Sequence, residues 1–226
     1  MKKILLFPIF FFILLFFLAV GYLITIGYET NGFNSILEQK ITSNEPNIKV
    51  NLDKIKIKLD IKKISFFITT SQPNIEYHNT KIDINKIDAY ANLKSLFSGE
   101  PKIDKVYISA DKTKIGQIQK VVKYFKPSSS KKFFLNNIKK GEISYNLDLT
   151  FEDNQIKDYE INGFVKNLYA KLQNINLNNT SFIYSIKSNL GEIDNIRGFV
   201  NGFQINSGLI NFKNTNNLEI NGEIKS

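Results

Sequence analysis

The residue types that most often carry enzyme chemistry are nearly absent from this chain. It has one histidine, His78, and no cysteine, so it offers no His–His or His–Cys pair to hold a metal ion or activate a nucleophile. Asp83 and Asp88 stand among isoleucines, which predicts the polar face of a strand and not a catalytic pair. Glycine-rich phosphate loops and the Gly-x-Ser-x-Gly elbow do not occur. The sequence predicts a protein without catalytic activity, cofactor or metal.

The charge of the chain is positive and unevenly placed. The net charge is +9, and the stretch from Lys112 to Lys140 holds nine lysines and no acidic residue. Such a surface can face anionic lipid headgroups, where each lysine contributes about 1 kcal/mol, or it can simply be a solvated face. A nucleic-acid partner is not predicted, because Arg197 is the only arginine.

An uninterrupted apolar block occupies residues 4–26, directly after Lys2 and Lys3. As a helix it would be roughly 35 Å long, enough to cross a hydrocarbon core of about 30 Å. A cleaved signal peptide and a buried core helix are the alternatives, but the block is longer than the usual apolar region of a signal, about 7 to 15 residues. The paired lysines predict a cytoplasmic N-terminus. We therefore expect a transmembrane signal anchor at 1–28 in a bacterial inner membrane, followed by one periplasmic domain at 29–226.

Beyond this block, apolar and polar residues alternate with a period of two over most of the chain, which predicts β-strands with one apolar and one polar face. In the first such strand, Ile55, Ile57, Leu59 and Ile61 alternate with Lys56, Lys58 and Asp60. The same alternation recurs at 106–110, 143–151 and 182–186. The fold class expected is mainly β.

Two segments follow a helical period instead. Residues 33–39 predict a short helix before the first strand. Residues 115–125 repeat apolar side chains every three or four positions, with Lys114, Lys120, Lys123 and Lys126 between or beside them. We expect this basic helix to end at Pro127 and the serines at 128–130, and to lie on a membrane surface or to cap the end of a sheet.

Three Asn-Gly pairs divide the C-terminal half, at 162–163, 201–202 and 221–222. Asn-Gly between alternating segments is a strong signal for a two-residue hairpin turn. Alternation also continues through some of these pairs, so a glycine inside a strand, marking a bend or bulge, is the other interpretation.

The order of these features resembles a known family. Residues 50–57 form one strand pattern, residues 82–95 form another that leads into Leu96-Phe97-Ser98-Gly99, and a third is preceded by Pro101-Lys102-Ile103. Residues 165–226 repeat Asn-Leu and Asn-Gly pairs and contain Ser-Gly-x-Ile-x-Phe at 207–212. This succession resembles the N-terminal region of the AsmA-like proteins, in the branch that includes YhdP and TamB.

The resemblance implies an elongated, curved antiparallel sheet that forms a groove, an anchor in the inner membrane, and phospholipid transport between the inner and outer membranes. It also implies that this chain is the N-terminal part of a longer protein. On this interpretation the apolar strand residues would contact lipid: Ile55, Ile57, Leu59, Ile61, Phe182, Tyr184 and Ile186. The lysines of the basic helix would contact the membrane surface.

Two alternatives stay open. The period of a strand is the same in a closed β-sandwich, where these apolar residues would form a dry core. An envelope assembly factor is the second alternative: its sheet edge would pair with strands of an outer-membrane β-barrel or of another envelope protein.

Overall fold

The computed structural model of the chain is mainly β, as the sequence predicts, and contains one large antiparallel sheet. It describes residues 2–63, 65–92, 102–153, 155–214 and 218–226. The predicted Leu-Phe-x-Gly turn at 96–99 and Pro101 lie outside these residues.

Fifteen strands occur in the described residues: β1 (Tyr28–Thr30), β2 (Ile48–Asn51), β3 (Ile55–Asp60), β4 (Ser65–Ser71), β5 (Asn74–Tyr77), β6 (Thr80–Ile82), β7 (Lys86–Asn92), β8 (Ile103–Lys114), β9 (Ile138–Glu152), β10 (Gln155–Leu172), β11 (Ile175–Lys187), β12 (Leu190–Val200), β13 (Phe203–Ile205), β14 (Ser207–Asn214) and β15 (Leu218–Lys225). The large sheet has the order β1-β3-β4-β7-β8-β9-β10-β11-β12-β14-β15, with β13 paired to β12. Strands β2, β5 and β6 form a small separate sheet.

Four helices occur in the described residues: α1 (Lys2–Thr25), α2 (Asn34–Asn44), α3 (Ile115–Val122) and α4 (Ser129–Asn137). Helices α2 and α3 match the two short helices predicted from the sequence. Helix α4 was not predicted, because the serine run was interpreted only as a helix end. Ser128 is in fact an N-cap, since its hydroxyl oxygen accepts a hydrogen bond from the Lys131 backbone N–H at 3.1 Å.

Helix α1 forms from the apolar block. Its described side chains begin at Phe10, and several are strongly exposed, including Phe12 at 69% and Leu18 at 61%. Within the described residues, no helix has both the length and the apolar character needed to cross a membrane. The structure therefore does not support the predicted transmembrane span.

The connections place different elements at the two ends of the large sheet. Helix α1 leads into β1, which pairs with β3 through Tyr28 opposite Ile57, so α1 leaves the sheet at the end marked by Asp60. We call this the α1 end. Helices α3 and α4 connect Lys114 of β8 to Ile138 of β9 at the opposite end, which we call the helical end. Helix α2 and the small sheet also lie at the helical end, since they are inserted between strand ends there.

Only one of the three Asn-Gly pairs makes a turn. Asn201 and Gly202 have φ angles of 51° and 88° and connect β12 to β13, as in a two-residue hairpin. Asn162-Gly163 and Asn221-Gly222 lie inside β10 and β15. For these two pairs the strand interpretation is correct.

Gly163 allows a close approach between β10 and β9. A Cβ atom at this position would lie 2.1 Å from the Ser144 carbonyl oxygen, far inside van der Waals contact. Gly116 in α3 has no atom within 4 Å of the corresponding Cβ position. The two glycines therefore differ in the space around them.

We predict that Gly163→Ala destabilises the protein by roughly 1 to 3 kcal/mol, because the strands must separate to admit the methyl group. Gly116→Ala should instead be neutral or stabilising, by up to about 1 kcal/mol, because alanine favours the helix. Urea unfolding of the full chain in detergent, followed by circular dichroism, measures both. Equal stability of the two variants would contradict the register of β9 and β10.

Candidate functional site

The strand register places the apolar side chains of the large sheet on one face. In antiparallel strands, residues directly opposite one another lie on the same face. One row of opposed residues crosses all eleven strands of the path: Thr30, Ile55, Thr70, Ile87, Ile108, Leu147, Ile161, Ile186, Gly191, Phe212 and Ile220. We call the face that carries this row the apolar face.

The opposite face, here called the polar face, carries most of the charges. Lys105 and Asp148 form an ion pair there at 2.8 Å, and Lys86 pairs with Asp88 at 2.7 Å. Asp88 therefore lies on the predicted face of a strand, but it is only 6% exposed and so is not solvated as expected. The prediction for Asp83 is wrong, because β6 ends at Ile82 and Asp83 lies in the loop before β7.

Six of the seven residues predicted to contact lipid share the apolar face. Ile55, Ile57 and Leu59 lie on β3, and the second group, Phe182, Tyr184 and Ile186, lies on β11. Five strands separate the two groups, which places them roughly 30 Å apart across the sheet. They therefore mark two distant parts of one surface.

The seventh residue, Ile61, is not on the strand. Strand β3 ends at Asp60, whose carboxylate oxygen accepts a hydrogen bond from the Lys63 backbone N–H in the turn to β4. Ile61 is 58% exposed in this turn. The prediction for Ile61 is wrong because it extends the alternating pattern of β3 past the end of the strand, and the turn begins before Ile61.

Ile61 does line a cavity at the α1 end of the sheet. The cavity has a volume of about 640 Å³, and Ile24 of α1 and Leu59 of β3 also line it. Lys58 lines it as well, and its ammonium group donates a hydrogen bond to the Thr25 carbonyl oxygen at 3.2 Å, where a cation suits the end of α1. The cavity between α1 and the sheet is thus lined by apolar side chains together with charged ones, which also include Asp60 and Lys62.

Part of the apolar face is covered at the helical end. The buried cluster there consists of Ile115 from α3 with Val165, Leu168, Ala170 and Tyr184 from the sheet. Phe134 of α4 packs against the same cluster. Helices α3 and α4 therefore cover the apolar face near the helical end of β9 and β10.

Away from this cluster, burial of the apolar face is uneven: Ile55 on β3 is only 2% exposed, but other positions are only partly buried. Ile57, Ile68, Leu147 and Leu149 are half-buried, and Ile220 on β15 is 62% exposed. In the described residues, no large side chain is completely buried. The face is therefore neither filled by a second layer nor fully open to solvent.

Tyr184 lies at the centre of the covered region. It is opposite Gly163, and its hydroxyl donates a hydrogen bond to the Ser144 carbonyl oxygen at 2.9 Å. Burial, and then the neighbouring Tyr145, raise the pKa of Tyr184 well above its usual range. Burial also raises the pKa of Tyr145, with a smaller contribution from Asp83. Tyr184 is thus a core residue in this structure, and it is shielded from any ligand on the open part of the face.

The lysines predicted to contact a membrane surface are all exposed at the helical end. Lys114 ends β8, Lys120 lies on α3, Lys123 is its C-cap, and Lys126 follows in the loop. Their helix packs on the sheet through its apolar side. Helix α3 thus covers the end of the sheet while these lysines remain exposed.

Sequence reasoning missed several residues on the apolar face. Ile108, Leu147, Leu149 and Ile161 lie between the two predicted groups. The sequence does contain the signal for Ile108, Leu147 and Leu149, because the alternation at 106–110 and 143–151 predicts strands there. Phe212 was also missed. Its ring lies 1.9 Å from the position that a Cβ atom of Gly191 would occupy, so the ring covers the neighbouring strand.

Metal ligands do not cluster in the part of the chain that the structure describes: no group of three or more His, Asp or Glu side chains could hold an ion. Comparison of the chain with protein-family models, with curated proteins and with solved structures found no match. The resemblance to the AsmA-like proteins therefore stays a prediction from the sequence.

We predict that Tyr184→Phe destabilises the full chain by about 1 kcal/mol at neutral pH, because one buried hydrogen bond is lost. Above the ordinary tyrosine pKa of about 10, the unfolded state releases a proton that the folded state retains. The stability that Tyr184 contributes is therefore present below this pH and is lost as the pH rises. The phenylalanine variant lacks this loss, so the difference from the natural protein should shrink above pH of about 10.

The matched control is Tyr107→Phe, which removes a hydrogen bond of 2.7 Å to the Asn146 side chain in a half-buried position. Urea unfolding in detergent, at neutral pH and at a pH above about 10, measures the free energy of unfolding of the two variants. A cost at Tyr184 no greater than at Tyr107 would contradict the buried placement of Tyr184.

Proposed function

We propose that this chain is a membrane-attached periplasmic protein that carries phospholipid acyl chains on the apolar face of its sheet, between the inner and outer membranes. The observation that carries the proposal is the mostly apolar row of opposed residues across eleven strands, on a face that α3 and α4 cover only in part. The sheet then acts as a curved groove, and transfer along it needs no catalytic group.

The half-buried side chains of the apolar face favour the binding of an acyl chain. Burying an isoleucine, leucine or phenylalanine side chain contributes about 1.5 to 3 kcal/mol, and half-exposed side chains such as Leu149 forgo part of this. An acyl chain laid on the face would bury apolar surface on both partners, at about 25 cal/mol per Å². Each methylene group contributes about 0.8 kcal/mol, so even part of a chain would bind appreciably.

The α1 end supports attachment to a membrane. The exposed phenylalanines of α1 have no cover within the described chain, and a bilayer would provide it. Tyr22 and Tyr28 flank the end of the helix and are 46% and 51% exposed, and Lys58 and Lys62 line the cavity with Ile24 of α1. Tyrosine and lysine at this position are typical of the membrane–water interface. We propose that α1 inserts with its N-terminus on the cytoplasmic side.

A second candidate function rests on the edge of the sheet. Strand β15 pairs with β14 on one side and is the last strand of the described sheet, so its outer backbone groups are open to pairing. An envelope assembly factor would use such an edge to bind strands of an outer-membrane β-barrel. Crosslinks from Glu223 of β15 to a β-barrel protein would favour this function.

Photocrosslinking in cells tests lipid carriage. We predict that a photoreactive amino acid at Leu149 or Ile57 of the full chain forms covalent adducts with phospholipid, detected by mass spectrometry. Both positions are half-buried, lie on the apolar face and are outside the buried cluster. A polar ligand would be excluded there, because these positions have apolar neighbours on the adjacent strands.

Ile183 provides the matched control. It is an aliphatic residue on β11, next to Tyr184, but it lies on the polar face opposite Asp194 and is 50% exposed. A photoreactive residue there should give few or no phospholipid adducts. Equal labelling of both faces, or no adducts at Leu149 and Ile57, would overturn the proposed function.

A further inference from the structure

We infer that residues 115–137, the basic hairpin formed by α3, α4 and their loop, are a docking surface for an anionic phospholipid bilayer. The bilayer is a second one, separate from the bilayer that would hold α1. The inference stands on the hairpin's own geometry and charge. It rests on the proposed attachment of α1 only for the statement that the bilayer is a second one.

The inner side of the basic hairpin is fixed to the sheet. Ile115 is only 4% exposed, and Phe134 packs against the same buried cluster. The Gln119 side-chain amide donates a hydrogen bond to the Ile138 carbonyl oxygen at 2.8 Å, which ties α3 to the start of β9. The opposite side of the hairpin is therefore held outward.

The outer side combines cations with exposed aromatic rings. Lys120, Lys123, Lys126 and Lys132 are exposed, and no ion pair involves them in the described part of the chain. Tyr124, Phe125 and Phe133 are 52%, 54% and 52% exposed. Aromatic side chains next to lysines suit the interface of an anionic bilayer, where rings enter the headgroup layer and ammonium groups meet phosphates.

Contacts within the protein fix the loop between the two helices before any bilayer binds. The Lys131 ammonium donates hydrogen bonds to the carbonyl oxygens of Lys123, at 2.6 Å, and Phe125, at 2.5 Å. The Tyr124 ring stacks on His78 of the small sheet with centroids 3.9 Å apart. Docking would thus order few additional groups, which favours binding.

The charge of the hairpin selects the partner. No acidic residue occurs between Lys112 and Lys140, and the next one along the chain, Glu142, pairs with Lys112 at 3.4 Å, so the hairpin itself contributes no charge that repels phosphate. Each lysine near such a surface strengthens binding by roughly fivefold. An acidic protein could use the charge but would not require three exposed rings, and it is the competing outcome of the test.

The position of the hairpin separates it from α1. Val106 lies in the same row as Ile57, next to the α1 end, and β8 continues for eight residues to Lys114, or roughly 26 Å. This is well beyond the screening length of about 8 Å at physiological salt. Lysines at the helical end are therefore placed to meet a different bilayer.

Vesicle capture tests the inference. The full chain is reconstituted through α1 into neutral phosphatidylcholine vesicles and mixed with fluorescent vesicles that contain phosphatidylglycerol. We expect the protein to capture the anionic vesicles and not neutral ones. Lys120→Gln combined with Lys123→Gln should weaken capture by roughly thirtyfold, and Phe133→Ser by roughly tenfold.

Matched substitutions lie on strands outside the hairpin. Lys213→Gln with Lys225→Gln removes the same charge from β14 and β15, which are three and four strands beyond β10 in the sheet, and Phe203→Ser removes an exposed ring on β13. These controls should leave capture unchanged. Equal loss in hairpin and control variants, capture of neutral vesicles to the same extent, or binding of an acidic protein without capture of vesicles would overturn the inference.

The two proposals fail separately. Hairpin variants should still form phospholipid adducts at Leu149, because the open part of the apolar face does not involve the hairpin. Loss of capture with retained adducts supports the docking role. Capture that persists in a protein without adducts would leave docking in place and overturn lipid carriage.

Discussion

The structure depends on the pairing register of one antiparallel sheet. Because opposed residues share a face, each strand must align its apolar positions with those of its neighbours, and a slip of one residue would turn them to the other side. Eleven strands keep this alignment, from Thr30 on β1 to Ile220 on β15. The register thereby creates one continuous apolar face on a chain whose other face carries paired charges.

This face is larger than the elements that cover it. Helices α3 and α4 shield the helical end, where Tyr184, Val165 and Leu168 are buried, while Leu149 and Ile57 farther along the strands remain half-buried. A closed sandwich would bury both groups alike. The difference between them is the physical reason to propose an acyl chain on the uncovered part. On the same proposal, the exposed rings of α1 and of the basic hairpin would contact membranes at the two ends of the sheet.

The sequence predicts much of this arrangement, because a period of two in β3, β9 and β11 is a local property. It cannot predict which strands become neighbours. Tyr184 is buried because Gly163 and Ser144 lie beside it, and these residues are distant along the chain. Turns are similarly ambiguous, because Asn162-Gly163 continues a strand while Asn201-Gly202 ends one. Ile61 lies just past the end of a strand. Ser128 caps a helix that the serine run did not predict.

The most direct test measures the environment of the uncovered face. A nitroxide spin label at Leu149 of the full chain, in membranes, reports collisions with oxygen, which enters lipid, and with a water-soluble nickel complex, which does not. Our account predicts frequent collisions with oxygen and few with nickel, as for a label among acyl chains. A label accessible to neither reagent would indicate a dry, closed core, and one accessible to nickel would indicate a wet surface; either result would contradict the account.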